Sequence, residues 1–369
     1  MTRNEHEGSR DAMPALHDAP ADAHPPHGSD RHASGKKGQV GRANTFSLRT
    51  LAKGLVGIGL LGLLFLRIDF GEVLAQLADV RWGWIVPVVI LPHVAIWLSA
   101  IKWRLLLGRL GVSVSRGNAF WLYMIGTFFN NFLPSSAGGD VIRAIELRRE
   151  TDETGAIVAA TLAERLIGFA ALIALLPLAL IDDRVRGATP FLPLAVGAAL
   201  ITLVVGVWLL LSGHLGQAMR LARLGRVGRA LDRSESALRR LLRDRDAVLV
   251  SFFVSILFYA AAIFTVWAAS RALDHPLGIL GVEAVVPLVL LVGSLPISLN
   301  GLGTKEAAYV FLLGLIGMPA PTALALAVIL RTRAVLTAIA GGIAFVLRRP
   351  ATARAPSNGD ERSASHLVA

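Results

Sequence analysis

The stretch NNFLPSSAGGDVIR, residues 130–143, decides how this chain folds. It ends the apolar run 118–133, which is shorter than the about 20 apolar residues that a membrane-spanning helix needs. Proline blocks continued helical hydrogen bonding, and a glycine pair permits a tight reversal. We therefore expect this run to descend partway into a membrane, to break at Pro134, and to return through 138–150. Gly138 and Gly139 would then form the turn of a re-entrant hairpin.

The composition of the whole chain is that of a membrane protein. Of the 369 residues, 54% are hydrophobic and 17% are charged, and the mean hydropathy is +0.59. Soluble domains average about 45–50% apolar and about 25% charged residues. We predict an all-α polytopic membrane protein with about six full transmembrane helices and two re-entrant broken-helix hairpins. The apolar runs cover residues 51–66, 84–101, 118–133, 156–181, 189–211, 247–270, 284–299 and 323–347.

Both ends of the chain differ in composition from this membrane domain, residues 50–349. Residues 1–49 are rich in His, Asp, Pro, Gly and Ser and poor in aliphatic residues, which predicts a disordered cytoplasmic tail. This tail holds five of the nine histidines, but their spacing favours a solvated tail over weak metal binding. Residues 350–369 are interpreted as a second disordered cytoplasmic tail. The chain has no cysteine, which excludes disulfides, thiolate nucleophiles and cysteine-based metal sites.

The basic residues orient the chain, because cytoplasmic loops of membrane proteins are enriched in Lys and Arg. For this reason we interpret the net charge of +11 as a topology signal rather than as a sign of nucleic-acid binding. The stretch 31–53 has six basic residues and no acid, so we place it inside. Residues 213–246 carry nine arginines and four acids with leucines at helical spacing, which predicts a cytoplasmic amphipathic helix at the membrane interface. Loops 182–188 and 273–282 are predicted to be external.

A second stretch, LPISLNGLGTKE at residues 295–306, is similar to LPSSAGGDVIR at residues 133–143. Both have a proline after leucine, then glycines, then charged residues. The charge distribution leaves this segment either membrane-spanning or re-entrant from outside. We predict the re-entrant form, a second hairpin with Pro296, Gly301 and Gly303 at its turn that enters from the opposite face. Paired broken helices of this kind form inverted repeats, and they mark the binding sites of transporters near the midplane of the bilayer. Non-helical backbone at this depth must be buried in protein or line a cavity.

Ionisable residues interrupt the apolar runs near both hairpins. Each costs about 2.5–3.5 kcal/mol at the membrane centre unless it is paired or faces water. We expect them to share one cavity, into which the hairpin helices at Gly139 and Gly303 direct free N–H donors for an anion such as phosphate. The predicted substrate-binding residues are Asn131, Asp140, Arg143, Glu164, Arg165, Glu306 and Arg331.

Simpler explanations exist for several of these residues. Asp140 and Glu306 are placed where a carboxylate neutralises the dipole of a helix N-terminus. Glu164 and Arg165 could serve as a structural ion pair. Arg331 and Arg333 project about 200° apart on a helix, so at most one should face a shared cavity, and we favour Arg331. Lys102, near the end of a predicted helix, is expected to extend to the membrane surface.

Four segments, AIKWRLLL, NNFLPSSAGGDVIRAIELRR, TLAERLIG and LPISLNGLGTKEAAYVFLLGLIGMP, resemble the lysylphosphatidylglycerol synthase transmembrane (flippase-like) domain. The resemblance covers residues 50–349 and implies movement of a lipid or lipid-linked head group between leaflets. The synthases carry a soluble aminoacyl-transfer domain after this region, and only the polar residues 350–369 follow here, so lysyl transfer is not expected. The residues that match the family pattern are Asn131, Pro134, Gly138, Gly139, Asp140, Arg143, Glu164, Arg165, Gly301, Gly303, Glu306 and Arg331.

The sequence leaves three classes of function open. The first is a translocator in the bacterial inner membrane that binds an anionic phospholipid or a lipid-linked glycan. The second is an intramembrane lipid-modifying enzyme with Asp140 or Glu164 as general base. The third is an accessory subunit of an envelope lipid or polysaccharide synthesis complex. The hydrolase and metalloprotease motifs G-x-S-x-G and H-E-x-x-H are missing, which favours a transporter without cofactor or metal over an enzyme. The oligomeric state stays open.

Overall fold

The computed structural model describes residues 44–132, 138–181, 183–188, 190, 192–212, 225–295 and 297–347. The chain divides into Met1–Asn44 and Thr45–Ala369, and the second part forms the helical domain. The tail 350–369, nearly all of the tail 1–49, and the predicted turn residues Pro134 and Pro296 lie outside the described residues. Within them the fold is helical and contains no strand, which confirms the predicted all-α polytopic membrane protein.

The helices follow one another with short connections. Two 3₁₀ turns accompany them, Leu176–Leu180 directly after α6 and Leu299–Gly301 shortly before α12. The helices are α1 (Asn44–Arg67), α2 (Phe70–Ala78), α3 (Trp82–Arg109), α4 (Arg116–Phe132), α5 (Gly138–Arg148), α6 (Thr154–Leu175), α7 (Asp183–Ala188), α8 (Leu192–Ser212), α9 (Gly225–Arg243), α10 (Arg245–Ala272), α11 (Ile279–Ser294), α12 (Thr304–Leu315) and α13 (Ala320–Leu347).

Six of these helices are long enough to cross a bilayer. Helices α3, α10 and α13, and α6 with its 3₁₀ extension, have 27 or 28 residues and long apolar windows. Helices α1 and α8 have 24 and 21 residues with shorter apolar segments, Leu55–Leu64 and Val196–Gly206. At about 1.5 Å per residue all six reach the about 30 Å of a hydrocarbon core. Among the described residues, four of the six predicted spans, α3, α6, α10 and α13, are both long and apolar enough to cross a membrane, and α1 and α8 are long enough with shorter apolar segments.

Helices α4 and α5 form the first predicted hairpin. Near its turn, the Gly139 N–H donates to Asn130 Oδ1 at 2.8 Å. At its open end, Asn118 Nδ2 donates to Glu150 Oε2 at 2.7 Å, so α5 runs back along α4. The two helices touch closely, because a Cβ on Gly139 would overlap the carbonyl oxygen of Gly126. With 17 and 11 residues, neither helix is long enough to span a membrane.

Helices α3–α6 and α10–α13 are two copies of one four-helix arrangement. The lengths in order are 28, 17, 11 and 22 residues in the first copy and 28, 16, 12 and 28 in the second. The spacing between the helix starts Gly138 and Thr304 equals the spacing between Thr154 and Ala320. The same order of lengths and the same spacing are what the repeat predicted from the two glycine-containing stretches requires.

The ends of α3 and α10 define the two ends of the bundle, because these helices pack antiparallel along their length. At one end the Arg81 N–H donates to the Ala272 carbonyl at 2.8 Å, and Arg81 pairs with Asp274 at 2.7 Å. At the other end Arg109 pairs with Asp244 at 3.0 Å.

The two hairpins open toward opposite ends of the bundle. Near the open end of the first hairpin, Leu147 is buried in one cluster with Leu107, beside Arg109. Ile316 follows the last turn of α12 and is buried in another cluster with Leu277, close to Asp274. This opposition is the arrangement expected of an inverted repeat.

Helix α9 packs part of its apolar face on protein. Leu238 and Leu241 are buried in one cluster with Ala156 and Ile157 of α6. The position of this helix at the cytoplasmic membrane interface stays a prediction. The preceding residues 213–224 lie outside the described part of the chain.

Candidate functional site

A cavity of about 500 Å³ lies where the two hairpins meet, with further walls from α3, α10 and α13. Its volume is in the range of known small-molecule sites, about 300–1,000 Å³. The side chains that line it include many apolar groups, such as Ile96, Phe258 and Leu290, beside a set of charged and amide groups. Five of the seven predicted binding residues line it: Asn131, Asp140, Arg143, Glu306 and Arg331.

Two asparagines join the hairpins at the cavity. Asn300 Nδ2 donates to Asn131 Oδ1 at 3.1 Å, and Asn131 Nδ2 donates to the Thr127 carbonyl of its own helix at 2.9 Å. Asn300 has a φ of 47°, in the left-handed region that asparagine tolerates better than most residues. Asn300 is a site residue that the sequence did not identify.

Arg143 is the centre of the first charge cluster. Its Nη2 lies 3.1 Å from Glu164 Oε2 and 3.3 Å from Asp140 Oδ1, and the residue is only 2% exposed. The guanidinium lies 4.3 Å from the centroid of the Trp103 ring and 4.0 Å from that of Tyr123. Aromatic faces and carboxylates together replace the water that this cation loses on burial.

Glu164 and Arg165 lie behind the cavity wall and hold the residues that form it. Glu164 Oε1 accepts a hydrogen bond from the Tyr123 hydroxyl, and Arg165 Nε donates to Asp140 Oδ2. The two neighbours on α6 therefore have different partners, as residues about 100° apart on a helix can. We call Asp140, Arg143, Glu164 and Arg165, with Tyr123 and Lys102, the Glu164 network.

The prediction for Lys102 is wrong. This residue is 5% exposed, and its Nζ lies 3.0 Å from Ser255 Oγ and 3.8 Å from Glu164 Oε1. It does not reach the surface because α3 packs along α10 at this level. A buried carboxylate and a hydroxyl there compensate for the loss of water.

Glu306 forms the second charge cluster with Arg331. Arg331 Nε donates to Glu306 Oε1 at 2.7 Å, and Arg331 Nη2 donates to the Gly301 carbonyl at 3.2 Å. The other carboxylate oxygen, Oε2, accepts the N–H of Gly303 at 2.7 Å. We call Glu306 and Arg331 the Glu306 pair.

The two clusters are related by the internal repeat. Arg165 is 25 residues after Asp140, and Arg331 is 25 residues after Glu306. In both pairs the arginine Nε donates to a carboxylate in the first turn of the returning hairpin helix. The sequence shows this spacing of 25 residues twice, and from it the pairing could have been predicted.

The expected role of the hairpin N-termini needs correction. We expected free N–H donors at Gly139 and Gly303, but Asn130 accepts the first and Glu306 the second. An amide or a carboxylate at the start of a helix satisfies donors that would otherwise have no partner. These two N–H groups are therefore not available to an anion in this conformation.

Two further cations line the cavity, Lys305 and Arg333. We expected only one of Arg331 and Arg333 to face it, but both reach it, since a long side chain can bend toward a wide cavity. Lys305 follows the second predicted turn and is not among the substrate-binding residues predicted from the sequence. Tyr309 lines the cavity beside them. Among the described residues, no group of three His, Asp or Glu side chains could hold a metal ion.

The fold and the site together define a multi-pass helical membrane protein whose inverted repeat encloses a charged cavity. The model of the lysylphosphatidylglycerol synthase TM region family matches residues 50–342, so the chain belongs to that family. A curated relative, a UPF0104 membrane protein of Methanothermobacter thermautotrophicus, is 23% identical over 278 residues. The matched region covers 68% of this chain and 81% of the relative. No solved structure gives a significant match.

Proposed function

We propose that this protein moves a phosphate-bearing lipid or lipid-linked head group between the leaflets of a bacterial inner membrane. The observation that carries the proposal is the charged cavity between two opposed hairpins inside an apolar helix bundle. Ionised side chains at this depth are stable only in pairs or in a polar cavity. A head group would enter the cavity while its acyl chains stay in the surrounding lipid.

The charge of the cavity favours an anionic head group. The lining residues include four cations, Arg143, Lys305, Arg331 and Arg333, against two carboxylates, Asp140 and Glu306. In a medium of low dielectric constant, an excess of positive charge attracts an anion more strongly than in water. This supports an anionic phospholipid or a lipid-linked glycan as substrate.

The contacts of the carboxylates favour a translocator over an intramembrane enzyme. A general base needs an oxygen within reach of the proton that it abstracts. Both oxygens of Glu164 are occupied, by Tyr123 and by Arg143. Both oxygens of Asp140 are occupied as well, by Arg143 and by Arg165.

The test is leaflet exchange in liposomes that contain the purified protein. Fluorescent phosphatidylglycerol, phosphatidylcholine, polyprenyl phosphate and a lipid-linked glycan are assayed by quenching of the outer leaflet. We expect faster exchange of at least one anionic lipid, with its mass unchanged by mass spectrometry. Arg331→Met should reduce exchange to the background rate, whereas Arg245→Met, which removes an exposed charge at the start of α10, should not.

Two other outcomes would contradict the proposal. A covalently altered lipid whose formation depends on Glu164 would establish an enzyme. Background exchange for every lipid would leave an accessory subunit as the function.

The proposed orientation, with both termini cytoplasmic, has its own test. The chain has no cysteine, so single cysteines can be labelled without background. Ser236→Cys on α9 and Gly278→Cys before α11 are both at exposed positions. We expect an impermeant maleimide to label Gly278→Cys in intact cells and Ser236→Cys only after lysis. Labelling of both from the same side would refute the orientation.

A further inference from the structure

We infer that Lys305 and Arg333 form an anion subsite for the terminal phosphate of a phosphomonoester lipid. The inference rests on the proposed function, because it names the class of head group that enters the same cavity. It adds two residues that are not among the substrate-binding residues predicted from the sequence.

The partners of the four lining cations divide them into two groups. Arg143 lies between Asp140 and Glu164, and Arg331 is bound to Glu306 and to the Gly301 carbonyl. These two arginines are already neutralised by protein carboxylates.

Lys305 and Arg333 form the other group. Neither of them forms an ion pair with a carboxylate in the part of the chain that the structure describes, although both line the cavity. They are therefore the cations that an incoming anion can pair with.

Lys305 is held in place by a slot between two glycines. Its aliphatic stem passes Gly293 at the end of α11 and Gly301 in the 3₁₀ turn. A Cβ on Gly301 would lie 2.8 Å from Lys305 Cε, and one on Gly293 would overlap the same carbon. Gly301 also has a φ of 70°, which a side chain would disfavour. The slot fixes the stem of Lys305, a residue that lines the cavity.

Arg333 contributes a donor that the protein leaves unused. Its Nε is buried and has no hydrogen-bond partner among the described residues. A buried charged donor without a partner is costly, so protein groups satisfy the Arg333 guanidinium less well than that of Arg331, whose Nε donates to Glu306. Lys305 lies within electrostatic range of Arg331, Glu306 and Arg333, and Tyr309 lies within range of Arg333. A phosphate between these side chains would meet two cations and a phenolic hydroxyl.

The number of unpaired cations selects the class of phosphate. A phosphomonoester carries about −1.5 to −2 charges at neutral pH, whereas a phosphodiester carries about −1. The cavity lining has four cations and two carboxylates, so a dianion brings it close to neutrality. A phosphodiester would leave one buried cation without a counter-charge, which is costly. The subsite therefore favours a lipid with a terminal phosphate over a phospholipid such as phosphatidylglycerol.

The test is equilibrium binding to the purified protein in detergent, with radiolabelled phosphatidic acid as the probe. Unlabelled phosphatidic acid, phosphatidylglycerol and phosphatidylcholine with the same acyl chains compete with it. We expect phosphatidic acid to compete at about tenfold lower concentration than phosphatidylglycerol, a difference of about 1.4 kcal/mol. Equal competition by these two lipids would overturn the assignment to phosphomonoesters.

Variants test the two residues. Methionine keeps a long stem for the glycine slot, so Lys305→Met and Arg333→Met should each weaken binding of phosphatidic acid about tenfold or more. Arg333→Lys, which keeps the charge, should recover part of the loss, and Arg245→Met should bind as the wild type does. If Lys305→Met does not fold, Arg333→Met and the wild-type lipid preference still test the inference. Unchanged binding by folded variants would overturn it.

A soluble competitor separates the two possible sources of the phosphate. Glycerol 3-phosphate presents the same phosphomonoester without acyl chains and should compete far more weakly than phosphatidic acid. Competition at the same concentration would overturn the lipid as ligand in favour of a soluble phosphate compound.

The binding experiment and the leaflet-exchange experiment can fail independently of each other. Selective binding that depends on Lys305, without leaflet exchange in liposomes, would uphold the subsite and refute translocation. Exchange that neither Lys305→Met nor Arg333→Met slows would uphold translocation and refute the subsite.

Discussion

The two hairpins share one architecture and differ in the charges that they bury. In the first hairpin, Arg143 has a side chain that is 3% exposed, and it lies between two carboxylates and two aromatic rings. In the second, Arg331 is 22% exposed and pairs with Glu306, while Lys305 and Arg333 face the cavity beside it. The first half of the repeat has the features of a structural network and the second those of a binding surface.

Desolvation explains why this difference matters. A network of charges inside a helix bundle is stable only when each ion has partners that compensate for its loss of water. Removing one partner leaves the other ions with their full desolvation penalty. In the Glu164 network each ion has a partner of opposite charge. Near the Glu306 pair, Lys305 and Arg333 form no ion pair with a carboxylate among the described residues, so a bound ligand would offset the desolvation penalty of these two cations.

Loss of the Glu164 carboxylate should have the largest effect. Glu164→Gln leaves Arg143 and Lys102 without their shared counter-charge in a buried site, and we expect a loss of about 3–5 kcal/mol of stability. Thermal unfolding in detergent and the yield of folded protein measure it. The control is Asp274→Asn, which breaks an exposed pair with Arg81 and should cost less than about 1 kcal/mol. Equal losses would show that the network is not structural.

Alanine at the close contacts of the two hairpins should have the next largest effect. A Cβ on Gly139 would overlap the Gly126 carbonyl, and one on Gly303 would overlap that of Gly57. We expect each substitution to cost about 1–3 kcal/mol through forced separation of the helices. Gly303 should be the more sensitive, because its φ of 77° adds strain. Gly83→Ala, with open space around its Cβ, should be neutral or stabilising by thermal unfolding.

Arg331→Met should separate stability from function. Its side chain bonds Glu306 and the Gly301 carbonyl, so we expect a stability loss of about 1–3 kcal/mol together with background rates of lipid exchange. Arg143→Met should lose more stability, because its pairing partners are more deeply enclosed. The measurements are unfolding temperature and exchange rate on the same preparations. A variant at Arg331 that exchanges lipid at the wild-type rate would contradict the role of the second hairpin.

The asparagine bridge should have the smallest effect. A double-mutant cycle of Asn131→Ala and Asn300→Ala should give a coupling free energy of about 0.5–1.5 kcal/mol, the net value of one hydrogen bond. The comparison is a cycle of Asn131→Ala with Thr202→Ala, whose hydroxyl bonds the Ala198 carbonyl of its own helix. That cycle should show no coupling. Zero coupling in the first cycle would mean that the bridge does not hold the hairpins together.

The sequence by itself determined the class of fold and the positions of its elements. Apolar runs, short runs that end in proline and glycine, and the distribution of basic residues are local patterns, and they predicted the spans and both hairpins. The similarity of residues 133–143 and 295–306 predicted the repeat. The same charges that are costly in lipid indicated four residues that line the cavity, Asp140, Arg143, Glu306 and Arg331.

Only the tertiary structure decided which charges pair and which remain available. Lys102 became part of a buried network because α10 covers it, and α9 buried its leucines on α6. The sequence could not separate Arg143, whose guanidinium pairs with Asp140 on its own helix and with Glu164 of α6, from Lys305, whose stem lies in a slot between Gly293 and Gly301. Pairing depends on side-chain direction and on contacts between remote segments, and a local pattern contains neither.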